Sequence, residues 1–85
     1  MMAGRILFFG RLKDATGVDG LPLTDTGLTL SDLRKRLCVR FPEAAPLLAS
    51  RAVRVALNRH IVGEEETVQI ADDDEVAFMP PLSGG

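Results

Sequence analysis

Few side chains in this sequence of 85 residues have the chemistry of a catalytic site. The chain contains one cysteine, one histidine, no tryptophan and no tyrosine. Cys38 lies beside Leu37 and Phe41 at helical spacing, which favours a buried structural thiol over a sulfur-handling nucleophile. His60 stands in a turn with no nearby residues at metal-ligand spacing, so we expect a surface histidine and no metal site. The remaining candidate for a reactive group is the carboxyl-terminal end of the chain.

The last six residues, Pro80 to Gly85 (PPLSGG), form the unusual stretch. The two prolines end regular sheet structure and favour a stiff, extended backbone. Such a segment reaches about 20 Å at about 3.3–3.6 Å per residue. Gly84 and Gly85 have no side chains, so the backbone passes through a narrow slot and the carboxylate of Gly85 is unhindered. This arm suits insertion into another protein's active site and activation as an acyl phosphate anhydride. The alternative is an inert tail.

Composition and charge exclude several classes of function. The chain has 10 Lys+Arg against 12 Asp+Glu, a formal net charge of −2, which argues against a general nucleic-acid binder. No apolar run approaches the roughly 20 residues of a membrane span, and the amino terminus lacks the pattern of a signal peptide. With one cysteine there is no internal disulfide. We therefore expect one cytoplasmic domain that binds neither nucleic acid nor membrane.

The first half of the chain predicts two strands. Arg5 to Leu12 is rich in β-branched and aromatic residues, and alternation places Ile6, Phe8 and Leu12 on one face. Lys13 to Gly17 is predicted to be a loop. Gly20 to Leu23 is a weak strand, and its Pro22 places it towards an edge of the sheet.

A helix is predicted to follow. Thr29 is placed to cap its first turn, and Pro42 ends it. Apolar residues recur at helical spacing on one face, and cationic residues are expected on the solvated face. The apolar set is Leu30, Leu33, Leu37 and Phe41, and the cationic set is Arg34, Lys35, Arg36 and Arg40.

The second half predicts mainly strands. Glu43 to Ser50 is a short helix made doubtful by Pro46, and Ala52 to Asn58 alternates as a strand with one buried face. Val68 and Ile70 form a short apolar pair, and Val76 to Met79 is the last strand.

A hairpin, a crossing helix and late strands describe an α+β, β-grasp (ubiquitin-like) fold with a mixed sheet. A ferredoxin-like fold needs a second full helix, which residues 62–75 cannot supply. We place the domain at residues 1–79 and an extended tail at 80–85.

One surface is expected to dock a partner. If Phe8 faces the helix, Phe9 lies on the opposite side of the sheet, where no second layer covers it. With Leu7, Phe78 and the Pro80-Pro81 elbow it would form an exposed apolar patch. The alternative is that a loop covers Phe9. The acidic runs Glu64–Glu66 and Asp72–Glu75 are expected to be solvated loops, with electrostatic steering of partners as the alternative.

Three stretches carry a resemblance that spans essentially the whole chain. They are Ile6 to Gly10 (ILFFG), Val55 to Asn58 (VALN), and Asp74 to Phe78 (DEVAF) leading into the Pro-Pro-Leu-Ser-Gly-Gly end. On these motifs the chain resembles the ubiquitin-like sulfur carriers that form the small subunit of molybdopterin synthase.

The resemblance implies a mechanism in molybdenum cofactor biosynthesis. Gly85 is adenylated by a ubiquitin-activating-like adenylyltransferase that uses ATP, and sulfur from a persulfide donor displaces AMP to leave a C-terminal thiocarboxylate. The tail then enters the large catalytic subunit and gives its sulfur to cyclic pyranopterin monophosphate. Gly85 is thus the reacting residue, Gly84 provides steric access, and Leu82 and Ser83 join the patch residues in contacting the partner.

The same resemblance implies no permanently bound cofactor, with the catalytic side chains in the large subunit of a heterotetramer. Three alternatives remain: a sulfur carrier for thiamine or another metabolite, a protein modifier joined to lysines through Gly85, and a binding module with an inert tail.

Overall fold

The computed structural model describes residues 4–24 and 27–80, which form five strands and three helices. In chain order they are β1 (Arg5–Phe8), α1 (Arg11–Thr16), β2 (Gly20–Pro22), α2 (Leu30–Arg40), α3 (Ala45–Leu48), β3 (Arg54–Leu57), β4 (His60–Val62) and β5 (Glu75–Met79).

The strands form one mixed sheet in the order β2-β1-β5-β3-β4. The central pair, β1 and β5, is parallel, and every other pair is antiparallel. Helix α2 packs on one face of this sheet, where its buried residues Leu30, Leu33 and Leu37 join those of the strands in one core. The arrangement is the β-grasp that the element order predicts.

The start of the chain corrects the sequence-based reading. Strand β1 ends at Phe8, and the stretch predicted as strand end and loop is the short helix α1. Gly10 makes the break with φ 59, and Gly17 closes the helix in the left-handed region with φ 80. Leu12 is buried, as alternation predicts, but it reaches the core from a helix instead of a strand.

Helix α2 is confirmed where the sequence places it. The Thr29 hydroxyl accepts a hydrogen bond from the Asp32 N–H at 3.1 Å, which satisfies one free donor of the first turn. Phe41 caps the other end and meets the Phe8 ring edge-on, with ring centroids 5.9 Å apart. Helix α3 also forms, because Pro46 lies in its first turn, where the missing N–H breaks no helical hydrogen bond.

The hairpin between β3 and β4 is a two-residue turn. Asn58 and Arg59 have φ of 51° and 74°, the positive pair that a type I′ turn requires. The Asn58 amide donates to the Asp74 carboxylate at 2.9 Å and accepts from the Glu75 N–H at 2.9 Å. Asp74 therefore ties the hairpin to the start of β5 and is not simply a member of a solvated acidic run.

The predicted apolar pair before the acidic loop, Val68 and Ile70, does not form a strand of the sheet. Gln69 makes an isolated antiparallel bridge with Thr29, and the Ile70 N–H donates to the Leu28 carbonyl at 2.8 Å. Val68 and Ile70 both pack on the core. Among the described residues, no helix is long and apolar enough to cross a membrane.

Candidate functional site

Strand β5 carries the chain to the expected site. It pairs with β1 on one side and β3 on the other, with Phe8 opposite Phe78 and Arg54 opposite Met79. The Phe9 N–H extends the ladder by donating to the Phe78 carbonyl at 3.2 Å. Backbone pairing therefore fixes the strand on both sides up to Phe78 and on the β3 side up to Met79, immediately before the tail.

Gly10 provides the contact for Pro80. A Cβ placed on Gly10 would lie 2.9 Å from Cγ of the Pro80 ring, closer than side-chain atoms tolerate. The ring thus rests against bare backbone at the turn between β1 and α1. The remaining predicted site residues, Pro81, Leu82, Ser83, Gly84 and Gly85, lie outside the described residues, so their roles stay predictions.

The sheet face opposite α2 presents an apolar row. The strand register places Leu7, Ala77, Ala56 and Ile61 side by side across four strands. Phe9 and Ile61 are 47% and 57% exposed, respectively, whereas the two alanines of the row, Ala56 and Ala77, are buried. Together with the flanking Phe9 and Met79, this row is called here the open-face patch. It consists of Leu7, Phe9, Ala56, Ile61, Ala77 and Met79.

Phe9 is exposed on the open face as alternation predicts, and its contact with a partner stays a prediction, whereas the predicted exposure of Phe78 is wrong. Phe78 is paired with Phe8, so both rings point to the helix side, and the two stack with centroids 6.0 Å apart. Phe78 is 0% exposed and belongs to the core. Its alternation partner Met79 points to the open face instead. Ile61 escaped the sequence reading because only the hairpin register brings it beside Ala56.

A groove of about 400 Å³ borders the open-face patch. Leu7 and Phe9 line it together with the cationic side chains of Arg5 and Lys13 and with Asp19. The apolar side chains of this groove therefore lie beside two cationic side chains and one carboxylate.

The two side chains that could have carried chemistry are placed as the sequence predicts. Cys38 is partly buried against the core, with its sulfur 3.8 Å from the Ala45 carbonyl oxygen. His60 is exposed, with Nδ1 3.1 Å from the Asn58 carbonyl oxygen. Within residues 4–24 and 27–80, no cluster of His, Cys, Asp or Glu has metal-binding geometry.

Arg34 overturns the prediction of a wholly solvated cationic face. Its guanidinium forms a two-pronged ion pair with Glu65, at 2.9 Å and 2.7 Å. The two side chains are only 13% and 20% exposed, so Glu65 is not a purely solvated loop residue either. Lys35, Arg36 and Arg40 are exposed, as predicted. No sequence signal joins positions 34 and 65, because their contact depends on how the loop after β4 folds back.

Comparison with known proteins agrees with this architecture. The model of the ThiS family matches residues 6–85. A molybdopterin synthase sulfur carrier subunit from Haemophilus influenzae is 32% identical over 80 residues, covering 94% of this chain and 96% of its own. The subunit of the same name from Aedes aegypti is 34% identical over 86 residues, covering 94% and 86%.

Solved structures share the fold. The small archaeal modifier protein 1 (SAMP1) from Methanosarcina acetivorans superposes with a TM-score of 0.81 at 23% identity, covering 100% of this chain and 98% of its own. Subunits 1 and 2 of the molybdopterin-converting factor from Helicobacter pylori were solved as a complex, and a chain of that complex superposes with a TM-score of 0.70 at 21% identity, covering 99% and 100%. The fold and the resemblance read from the sequence are both confirmed, and the chain belongs to the ThiS family.

Proposed function

We propose that this chain is the sulfur carrier subunit of a molybdopterin synthase and acts in molybdenum cofactor biosynthesis. The observation that carries the proposal is the family match, which runs through the Gly-Gly end to residue 85. The curated relatives named above are molybdopterin synthase sulfur carrier subunits and align over nearly the whole chain. The doubly paired strand β5 supplies a rigid base for the arm.

The chemistry takes place at the carboxylate of Gly85. Attack of this carboxylate on the α-phosphorus of ATP, in the active site of an adenylyltransferase, releases pyrophosphate and gives an acyl-adenylate, in which AMP is a good leaving group. The outer sulfur of a persulfide donor then displaces AMP to give an acyl disulfide. A thiol cleaves its S–S bond and becomes a disulfide with the donor's sulfur, which releases the thiocarboxylate, a soft nucleophile. In the large subunit this sulfur passes to the cyclic pyranopterin monophosphate. The chain provides reach and access, and the partners stabilise the developing charge.

The open-face patch is the proposed contact for the large subunit. It is apolar, it lies on the sheet face that α2 leaves free, and it ends at Met79 where the tail begins. The Helicobacter pylori structure is described as a complex of subunits 1 and 2, which supports a two-subunit assembly. A domain held by this patch would present its tail at the edge of the interface.

A protein-modifier role is the second candidate. It is favoured by the high structural similarity to proteins named small archaeal modifiers. That similarity is at 21% and 23% identity and therefore shows the shared fold alone. Isopeptide-linked adducts to lysines in lysate would distinguish this role from sulfur transfer. A cytoplasmic location stays a prediction for either role.

The test is the intact mass of the protein after incubation with ATP, the cognate adenylyltransferase, a persulfide donor and a thiol reductant. We expect a gain equal to the exchange of one oxygen for one sulfur, mapped to Gly85 by fragmentation. The matched control is the chain lacking Gly85, which should gain nothing. No gain by the full chain, with an adenylyltransferase shown to be active on another carrier, would contradict the proposal.

A further inference from the structure

The guanidinium of Arg34 uses every N–H that it has. Nε and Nη2 donate to the two carboxylate oxygens of Glu65 at 2.9 Å and 2.7 Å. Nη1 donates to the carbonyls of Leu48 at 2.7 Å and Ser50 at 3.0 Å, and Nη2 also donates to the Val53 carbonyl at 2.9 Å. Because all five donors are used in five hydrogen bonds, the position and orientation of the guanidinium are fixed.

One further contact of Arg34 reaches the end of β5. Cζ of Arg34 lies 5.6 Å from the centroid of the Phe78 ring, so the cation stacks on a residue of that strand. Val53 directly precedes β3, and the next residue, Arg54, pairs with Met79. Arg34 therefore connects α2 to the Phe78 ring of β5 and to the residue that precedes β3, beside the point where the chain leaves the sheet.

We infer that Arg34 is a positioning residue that aims the C-terminal arm, an inference that rests on the proposed sulfur-carrier function. The arm has to enter a partner's active site, and strand β5 is the base from which it leaves the sheet. The rigid contact network around Arg34 holds that base from the helix side. The open-face patch lies on the other face, so docking and aiming depend on separate surfaces.

Lysine cannot replace arginine in this role. An ammonium group has three donors on a flexible stem and cannot make a forked contact with Glu65 while bonding three carbonyls. Arg34→Lys keeps the positive charge and removes the forked contact with Glu65 and part of the bonding to the carbonyls. Arg51→Lys is the matched control, because Arg51 is exposed and lies between α3 and β3, in the segment whose carbonyls Arg34 bonds. Leu23→Ala is the stability control, because Leu23 is buried beyond β2 at the opposite end of the sheet.

The experiment uses full-length variants carrying a chemically installed thiocarboxylate, so that activation plays no part. Single-turnover sulfur transfer is measured with the large subunit and the cyclic pyranopterin at saturation, together with the Kd of the two subunits and amide exchange at Arg54 and Met79. For Arg34→Lys we expect Kd within about twofold of the unsubstituted chain and a transfer rate about tenfold lower, since misplacement of reacting groups is costly. Exchange at both amides should accelerate.

Three outcomes overturn the inference. Transfer by Arg34→Lys at the unsubstituted rate removes Arg34 from the aiming of the arm. An equal loss of rate in Leu23→Ala, or in Arg51→Lys, shows a general effect of stability or substitution. No transfer by the unsubstituted thiocarboxylate refutes the proposed function, and the inference fails with it.

Discussion

At the scale of single residues, neighbouring positions on a strand have different roles, because one side chain faces the core and the next faces the open side of the sheet. Phe8 and Phe78 point to the helix side and are buried, whereas Phe9 is 47% exposed on the other side. The three aromatic side chains are alike in chemistry, so composition gives no means of separating their roles. Strand alternation separates Phe8 from Phe9, and only the register of β1 with β5 assigns Phe78 to the core.

Replacing Phe9 by Asp should weaken binding to the large subunit and leave the fold intact. A carboxylate in a desolvated apolar contact should cost about 2 kcal/mol or more, a factor of about 30 in Kd, as for other aromatic anchors. Titration calorimetry measures the Kd. Val39→Asp is the control, since Val39 is 83% exposed on α2, away from the open-face patch. Unchanged Kd, or loss of cooperative unfolding, would remove Phe9 from the interface.

Replacing Phe78 by Ala should act in the opposite way. The ring is fully buried against Phe8 and beneath Arg34, so its removal leaves a cavity and should cost about 3–5 kcal/mol of unfolding free energy. Urea denaturation followed by circular dichroism measures this loss. A variant that unfolds at nearly the unsubstituted urea midpoint but fails to bind the large subunit would return Phe78 to the docking surface.

At the scale of elements, the sequence predicts those whose signals are local. Helix α2 is predicted by the cap at Thr29, the apolar spacing and Pro42. Strand β3 is predicted by its alternation of apolar and polar residues. Helix α1 was missed because Leu12 fits a strand period and a helix turn equally well, and the deciding feature is the backbone of Gly10. Sequence patterns show periodicity clearly, but they indicate a change of backbone direction at a single residue such as Gly10 only weakly.

The candidate site divides in the same way. The terminal glycines and Phe9 are visible in the sequence because their types and positions are unusual. Ile61 and Arg34 are not, since each acquires its role through a contact between distant segments. Residues 34 and 65 are 31 positions apart, and their ion pair exists only after the sheet and α2 are packed.

The β3–β4 turn allows a prediction of increased stability. Arg59 has φ 74°, a left-handed conformation that costs a residue with a side chain about 1 kcal/mol and glycine almost nothing. Its contact with Glu75 is long, 3.9 Å, and exposed. Arg59→Gly should therefore stabilise the fold by roughly 0.5–1 kcal/mol, since Asn-Gly is the preferred pair for this turn. Thermal unfolding checks it, and an unchanged or lower midpoint would contradict the strain assigned to Arg59.

At the scale of the whole molecule, fold and chemistry occupy different parts of the chain. The buried core comes from the helices, the strands and the segments between them, whereas the proposed reaction uses one carboxylate at the end of the arm. Mutations in the core should reduce the amount of folded carrier, and changes at Gly85 should reduce its chemistry. The two classes of defect can therefore be measured separately.

Deleting Gly85, or adding one residue after it, should abolish sulfur transfer at unchanged stability. The reacting carbon would be displaced by about 3.3–3.6 Å, the length of one extended residue, which is too far for an active site to tolerate. Transfer is followed with the large subunit, and the melting midpoint is recorded for each variant. Activity in the extended chain, with mass spectrometry showing that the added residue is still present, would refute the role of Gly85.

The two-sided pairing of β5 also has a mechanical meaning. When a carrier leaves its partner, any resistance to withdrawal of the arm pulls along the axis of this central strand. The hydrogen bonds to β1 and β3 run across that axis, so they carry the load together in shear instead of breaking one by one. A strand at the edge of the sheet would be loaded through a single ladder. By continuing from the middle of the sheet, the arm would pass any such pull to both ladders at once.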